Sequence, residues 1–511
     1  MCAKKAKITV DKEFKIGEVD KRLFGSFTEH LGRVIYNGIH EPEHVTADEY
    51  GFRNDVIEVV KEIGVPVVRY PGGNFVSGYR WEDGVGPVEK RPARWDKTWR
   101  RVEPNTVGIK EFNHWAKKIN AEVMMAVNLG TRGPEDAANL LEYCNFKEGT
   151  YYSDLRKSHG SLEPYSYKLW CLGNEMDGFW QLGHKTSEEY GRIAHEAAVE
   201  MRRVDPDIEL VVCGSTAPWV STFPVWDSIV LDHTYEDIDY ISLHRYYDIL
   251  ENDHSDFLGS SVNMDWQIDS IISTCDYVKA KKRSKKSIYL SFDEWNVSFD
   301  DRRKDPKTFK IHRETYTLGD ALVFATMMNS LLRHADRIKI GCQSNLVNAI
   351  APIKTVPGGK AWRQTIFYPY MYASRYGRGT SLNLLLNSPL YDAKNWQDVP
   401  YVDATAVYSP PDNDEFTFFD EKPAVNGELT FFIVNRDLED DVMIDFDIRQ
   451  FSGWKLEEHL EIYHDDISAI NTPENEFNVV PAKVNGKVLI DSVKMTASLN
   501  KHSWNMIRLK K

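Results

Sequence analysis

Eight short apolar runs mark out most of the chain, at residues 23–27, 66–70, 123–127, 168–172, 209–212, 240–243, 288–292 and 337–341. Helical patterns lie between several of them, at 54–63, 108–119, 134–144, 187–204 and 264–281. The third of these opens with Pro134-Glu135-Asp136, a favourable helix start. Strand followed by helix, repeated, demands a parallel sheet covered on both faces. Eight strands of this kind predict a (β/α)8 TIM barrel, with an open doubly wound sheet as the structural rival. A chain of 511 residues has room for such a barrel and for a second domain.

Beyond about residue 385 the texture changes to alternating segments at 415–419, 429–434, 442–447, 488–490 and 503–509. Asn426-Gly427 and Asn485-Gly486 read as hairpin turns. Together they predict a C-terminal antiparallel β-sandwich. Residues 7–10 alternate as well and are expected to add a strand to it. The expected organisation is therefore an N-terminal strand in 1–18, a barrel over 19–380 and the sandwich over 381–511.

Composition narrows the function classes. With 42% hydrophobic and 27% charged residues, the chain is globular rather than disordered. Its net charge of −14 opposes nucleic acid and anionic lipid, so neither is an expected partner. The 14 Trp, 25 Tyr and 23 Phe suit sugar rings, although aromatics also fill ordinary cores. Six cysteines at 2, 144, 171, 213, 275 and 342 contain no C-x-x-C pair, which favours free thiols in a reducing compartment. The apolar stretch 8–10 is too short for a signal sequence, and 322–328 is too short to span a membrane. A cytoplasmic location is expected, which makes the sequon Asn296-Val297-Ser298 irrelevant.

Polar residues follow most of the apolar runs: Thr28-Glu29-His30, Pro71-Gly72-Gly73-Asn74, Asn128, Gly173-Asn174-Glu175, His244-Arg245-Tyr246 and Asp293-Glu294-Trp295-Asn296. A parallel barrel gathers its strand C-termini at one mouth, so residues scattered in sequence converge there. His40-Glu41-Pro42-Glu43-His44 matches H-E-x-x-H, but Pro42 in its middle argues for a loop rather than the helix that zinc binding needs. No metal site is expected. No Walker, dinucleotide or nucleophile-elbow motif occurs, and Gly72-Gly73 reads as a tight turn with close backbone approach.

Glu175 and Glu294 stand apart from the other carboxylates because each ends an apolar strand beside aromatic residues. One such residue could be a buried carboxylate paired with arginine; two at separate barrel strand ends point to catalysis. Paired carboxylates across a sugar-sized cleft are the apparatus of glycoside hydrolysis, and their separation decides between retention and inversion.

At these residues the chain resembles the α-L-arabinofuranosidases of glycoside hydrolase family 51. The matching blocks are FGSFTEHLGRVIYNGIHEP (24–42), VVRYPGGNFVSGYRWEDGVGP (67–87), WCLGNEMDGFWQLGHK (170–185), ISLHRYY (241–247) and YLSFDEWNV (289–297). The resemblance implies a barrel plus sandwich, a retaining exo-acting mechanism without a cofactor, arabinofuranosyl oligosaccharides or polysaccharides as substrates, and a homohexamer. It implies that Glu175 is the acid/base and Glu294 the nucleophile. Glu29 and Asn74 match residues binding the furanose hydroxyls, Asn174 the residue contacting the 2-hydroxyl, and Tyr246 the tyrosine bonded to the nucleophile. Arg69 and His244 match groups supporting the two glutamates. Trp99 and Trp180 are candidate stacking platforms, with rim packing as the plain alternative. The family's Gln-Leu-Val-Asn is replaced by Asn345-Leu346-Val347-Asn348, so Asn345, one methylene shorter, stands where a sugar-binding Gln is expected. Gln343, two residues earlier, is a possible substitute, and Phe179 is expected to shape the leaving-group side. A β-xylosidase, xylanase or endoglucanase would use the same barrel and carboxylate pair, and a degenerate binding protein would lack one of the two.

Overall fold

The computed structural model describes residues 4–297, 315–410 and 427–511. After β1 (Lys4–Thr9) and β2 (Lys15–Glu18) come eight strands: β3 (Gly25–Phe27), β4 (Val67–Tyr70), β5 (Glu122–Ala126), β6 (Leu169–Leu172), β7 (Glu209–Val212), β8 (Tyr240–Tyr247), β9 (Tyr289–Val297) and β10 (Ile338–Gln343). They form a closed barrel in which all neighbouring pairs are parallel. All eight apolar runs are barrel strands. The open-sheet rival falls because β10 returns to β3, with Cys342 opposite Gly25 and Gln343 opposite Ser26.

Strands β8 and β9 run four or five residues beyond their apolar text. Their ladder continues through His244–Glu294, Arg245–Trp295, Tyr246–Asn296 and Tyr247–Val297. The continuous apolar text ends earlier because His244, Tyr246, Glu294 and Asn296 are polar there, while Tyr247, Trp295 and Val297 still pack in the core. The same ladder contains a bulge: from Ser291 to Glu294 β9 takes three steps, while β8 takes two from Ser242 to His244.

The helices are α1 (Asn54–Ile63), α2 (Ile109–Lys118), α3 (Pro134–Asn145), α4 (Tyr151–Ser158), α5 (Ser187–Val204), α6 (Val225–Thr234), α7 (His254–Gly259), α8 (Ser261–Lys282), α9 (Leu318–Arg333) and α10 (Phe367–Tyr376). The five helical segments read from the sequence are α1, α2, α3, α5 and α8. Helix α5 begins where Thr186 accepts from the Glu189 N–H, and α1 stops at Gly64 with φ of 74°. Helix α9 escaped the pattern reading because residues 318–332 are buried all round, leaving no polar stripe to set a period. It packs between β9 and the sandwich, where Asn329 and Arg333 bond Asp403.

The C-terminal region adds β11 (Thr380–Leu382), β12 (Leu385–Asn387), β13 (Val402–Ser409), β14 (Glu428–Asn435), β15 (Val442–Asp447), β16 (Lys455–Ile462), β17 (Ala482–Lys483), β18 (Val488–Asp491), β19 (Lys494–Leu499) and β20 (Ser503–Lys510). One sheet runs β2-β11-β13-β14-β20-β16-β17, the other β12-β1-β15-β19-β18. Strand β1 lies parallel to β15, with Lys4 opposite Val442, so the chain's start is hydrogen-bonded into the sandwich. Ile8, Leu382, Phe431, Ile444, Phe446, Leu499 and Ile507 pack in one buried cluster drawing on strands of both sheets.

Asn485-Gly486 is not a hairpin. Gly486 takes φ of 80°, as such a turn requires, but β17 pairs with β16 and β18 with β19, so the turn carries the chain from one sheet to the other. The segment 415–419 and Asn426 lie outside the described residues; Gly427 has φ of 77°. Cys144, Cys171, Cys213, Cys275 and Cys342 are free and buried. Among the described residues, no helix is long and apolar enough to cross a membrane.

Candidate active site

The barrel mouth is built on glycines that let backbone approach carboxylates. Strand β4 delivers Arg69 and is followed by Pro71-Gly72-Gly73-Asn74. A Cβ on Gly73 would lie 2.8 Å from Glu294 Oε1, and one on Gly72 would lie 3.0 Å from Glu29 Cγ. Only hydrogen fits at either position without displacing a carboxylate. Glu175 follows β6 with φ of 46°, a left-handed backbone uncommon for a residue with a Cβ.

Two glutamates face each other across this floor. Glu294 accepts from Arg69 Nη1 at 2.7 Å and from the Tyr246 hydroxyl at 3.0 Å. Glu175 accepts from Trp180 Nε1 at 2.7 Å and Gln181 Nε2 at 3.2 Å, and its other oxygen is 3.0 Å from His244 Nδ1. One oxygen of each glutamate and a ring nitrogen of His244 lie within 4.8 Å of one another. Asn174 accepts from Arg69 Nη2 at 2.8 Å and donates to Asn74 Oδ1 at 3.1 Å. Gln181 also donates to Asn74 Oδ1, so the amide hydrogens of Asn74 are what it can offer a ligand.

Burial and charge tune these groups. Desolvation, reinforced by the charge of Glu294, pushes Glu29 up to about 8, so its carboxyl is protonated at neutral pH and can donate. Burial also raises Glu294; Glu175 adds to this, and His244 and Arg69 oppose it. Burial disfavours the charged ring of His244, but Glu294, Asp293 and Glu175 outweigh it and lift the imidazole to about 10. Burial likewise disfavours charge on Asp293, yet Arg69 and His244 hold it below the usual carboxylate range.

Glu29 accepts from the Phe75 N–H at 2.8 Å and from Trp99 Nε1 at 3.1 Å. The Trp99 ring packs on Leu31, Val34 and Ala349, so this indole orients Glu29. Asn345 is buried and its Oδ1 accepts from the Glu29 backbone N–H at 3.2 Å. Gln343 does not replace the expected Gln: its amide donates to Ile350 O at 3.3 Å and faces Ser26 inside the barrel wall. Trp180 is fixed over Glu175 and meets Trp219 at 5.7 Å and Phe179 at 5.0 Å between ring centroids. Phe179 and Trp219 are exposed, a concentration of aromatic surface beside Glu175.

Glu29, Arg69, Asn74, Trp99, Asn174, Glu175, Trp180, His244, Tyr246, Glu294 and Asn345 are thus linked at the mouth, whereas Asn128 bonds Tyr79 O and Thr131 and Gln343 lies in the barrel wall. Asp293 stands in the sequence only as one of the polar strand-end residues, with no role of its own, and Gln181 is not singled out there. Simple alternation would turn Asp293 away from Glu294, but the β9 bulge brings both inward. Gln181 lies in a loop, where no periodicity announces a side chain's direction. The His40–His44 stretch is turn and bridge rather than helix. In it, Glu41 pairs with Arg53, and His44 bonds Thr46 and Gly359 O. Asn296 is fully buried and donates to the carbonyls of Ser344 and Ile350.

Comparison with known proteins decides the family. Residues 59–253 match the α-L-arabinofuranosidase 1 domain model, and residues 293–503 match the α-L-arabinofuranosidase C-terminal domain model. The chain belongs to the α-L-arabinofuranosidases of glycoside hydrolase family 51. It is 53% identical to the intracellular exo-α-(1→5)-L-arabinofuranosidase 1 of Bacillus subtilis, over 99% of each chain. It is 52% identical to the enzyme of that name from Acetivibrio thermocellus, over 99% of this chain and 100% of that one. Among solved structures, a family 51 α-L-arabinofuranosidase from Bifidobacterium longum superimposes with a TM-score of 0.91 at 37% identity, covering 99% of this chain and 100% of the other.

Proposed function

We propose that this arabinofuranosidase is exo-acting and retaining, with Glu294 as nucleophile and Glu175 as acid/base. The observation that carries this reading is the approach of Glu175 and Glu294 oxygens within 4.8 Å. Double displacement uses carboxyl groups about 5–5.5 Å apart, whereas inversion needs about 6.5–9.5 Å to admit a water. Glu294 attacks the anomeric carbon as the glycosidic bond breaks, giving an arabinosyl ester, and Glu175 gives its proton to the departing oxygen. Esterification removes the charge of Glu294, which favours the ionised form of Glu175 and suits its change from proton donor to the base that takes a proton from the incoming water. Arg69 and Tyr246 each hold one oxygen of the Glu294 carboxylate and so fix its orientation, and the neutral Glu29, Asn74 and Asn174 are the groups we assign to the furanose hydroxyls. Asn345 is assigned an indirect part, since its carbonyl oxygen holds the Glu29 backbone.

The names of those relatives support α-(1→5)-linked arabino-oligosaccharides, cleaved inside the cell from the non-reducing end, as the substrate we assign. The leaving sugar would lie on the Trp180 side, because the proton donor stands there. The family resemblance further supports a homohexamer, which light scattering would report as six times the 58.9 kDa chain.

The deciding assay offers 4-nitrophenyl α-L-arabinofuranoside alongside the β-xyloside and β-glucoside. Exclusive release from the arabinofuranoside is expected; release from another sugar instead would overturn the substrate assignment. Glu175→Ala should lose about 10²–10⁴-fold on substrates with poor leaving groups and far less on activated aryl glycosides. Azide should rescue the variant. Equal loss on every leaving group would count against the acid/base role.

A further inference from the structure

The β9 bulge places a third carboxylate beneath the reacting pair. Asp293 is 1% exposed, with Oδ1 3.0 Å from His244 Nε2 and Oδ2 3.7 Å from Arg69 Nε. His244 then reaches Glu175 Oε1 at 3.0 Å through Nδ1, and Arg69 reaches Glu294 Oε1 at 2.7 Å. One buried group thus backs the partner of each glutamate.

We propose that Asp293 is a positioning residue for proton transfer: it fixes the orientation of His244 so that Glu175 and the imidazole hold one proton as a unit. The inference rests on the reading above of Glu175 as acid/base. Imidazole has two ring nitrogens, and an acceptor at Nε2 determines which of them carries hydrogen when the ring is neutral. With Asp293 there, Nε2 keeps its hydrogen and Nδ1 always faces Glu175. Nδ1 is a donor when the ring is charged and an acceptor when Glu175 holds the proton. The negative charge of Asp293 also keeps that shared proton from leaving at neutral pH.

The other groups around the ring do not supply this function. Ser242 Oγ lies 3.4 Å from Nε2, and Glu294 Oε2 lies 3.7 Å from Nδ1 while also accepting from Tyr246. Gln267 donates to the His244 backbone carbonyl. Trp180 and Gln181 donate to the far oxygen of Glu175. Arg69 is the remaining cation, and it engages Glu294 and Asn174. The high proton affinity of His244, lifted to about 10 against its burial, agrees with this arrangement.

The test is the pH profile of kcat/KM. In Asp293→Asn the shape is kept and the charge removed, so the Glu175–His244 unit loses its proton more easily. The basic limb should move down by about one pH unit. At pH 8 the loss should be greater on an arabino-oligosaccharide than on the 2,4-dinitrophenyl glycoside, whose departure needs no proton. A merely structural role would lower activity at every pH and leave the limb in place. His244→Gln should move the limb likewise, and adding Asp293→Asn to it should move the limb no further. An unmoved limb in either single variant, or an additional shift in the double variant, would overturn the inference. The limb is read on a glycoside with a poor leaving group, of whichever sugar the unaltered protein hydrolyses, so a mistaken sugar does not spoil the test. If Glu175→Ala kept the parent limb, the acid/base reading would fall and this inference with it. An unmoved limb in Asp293→Asn overturns the inference alone.

Discussion

The two ends of the barrel use the same residue types for opposite purposes. At the bottom, Arg22 forks onto Glu122, the first residue of β5, at 2.7 Å and onto Glu209, the first residue of β7, at 2.8 and 3.1 Å. The Tyr240 hydroxyl adds a bond to Glu209 at 2.6 Å. At the mouth, Arg69, His244 and Tyr246 meet Glu175, Asp293 and Glu294. The bottom glutamate side chains keep 25% and 33% exposure, so water shares in their solvation. Those of Glu175 and Glu294 keep 9%, and Asp293 only 1%. Burial weighs against the charge of Glu209, but Arg22 and Tyr240 more than offset it and hold the carboxyl below its usual range. Glu29 and Glu294 are pushed the other way because burial is deeper and carboxylates outnumber the cations that reach them. An arginine between two carboxylates is therefore a rivet where water helps, and part of a reactive centre where glycine-lined backbone excludes it.

The comparison breaks most sharply at Glu294. Glu294→Gln should reduce kcat/KM on every substrate by at least about four orders of magnitude, activated aryl glycosides included, while the folded state persists. Measurable turnover on activated substrates would contradict the nucleophile assignment. Next in size is Gly73→Ala, whose Cβ must displace an oxygen now 2.8 Å from its position. A shift of that order costs about 10–100-fold in rate. The thermal midpoint should change little, since the neighbours can relax into the pocket. Unchanged kinetics would mean that Glu294 moves freely, contrary to its bonds with Arg69 and Tyr246.

Much of this was legible in the sequence for physical reasons. Parallel strands buried on both faces read as continuous apolar runs, so each of the eight could be found. Glu175 and Glu294 were visible because a carboxylate at the end of such a run is anomalous. The bulge that turns Asp293 inward was not legible, because register is a property of two strands and the text shows one at a time. Nor was α9, whose buried surround removes the polar stripe. Asn345 was singled out for being short; its bond to the Glu29 backbone depends on how the 345–350 turn meets β3, which no local pattern encodes.

At the other end, Arg22→Met should leave kcat and KM untouched and lower stability. Removing one partner of an ion network leaves carboxylates unpaired, and partial solvent access limits the cost to about 1–3 kcal/mol. The thermal midpoint should fall by a few degrees. A rate effect would mean that the bottom of the barrel is coupled to the mouth, and the division of labour drawn above would fail.

The comparison is sharpened further through pH. A group that binds its proton more tightly when folded makes stability fall as pH rises between its unfolded and folded values. His244 goes from 6.5 to about 10 on folding, and Glu29 from 4.5 to about 8. Between pH 6.5 and 8 both groups should erode stability as pH rises, and from 8 to 10 only His244 should, each by up to about 1.4 kcal/mol per pH unit. Glu209 has the opposite sign: its folded value is depressed, so its contribution is present at neutral pH and is lost as pH falls through the acid range. The thermal midpoint of the unaltered protein should therefore decline from pH 7 to 9. His244→Gln should flatten that alkaline decline and, by releasing Asp293, also weaken part of the acid-side dependence, whereas Arg22→Met should weaken the acid-side dependence and leave the alkaline side alone. If Arg22→Met altered the alkaline limb, the two clusters would be titrating as one system rather than as independent ends of a barrel.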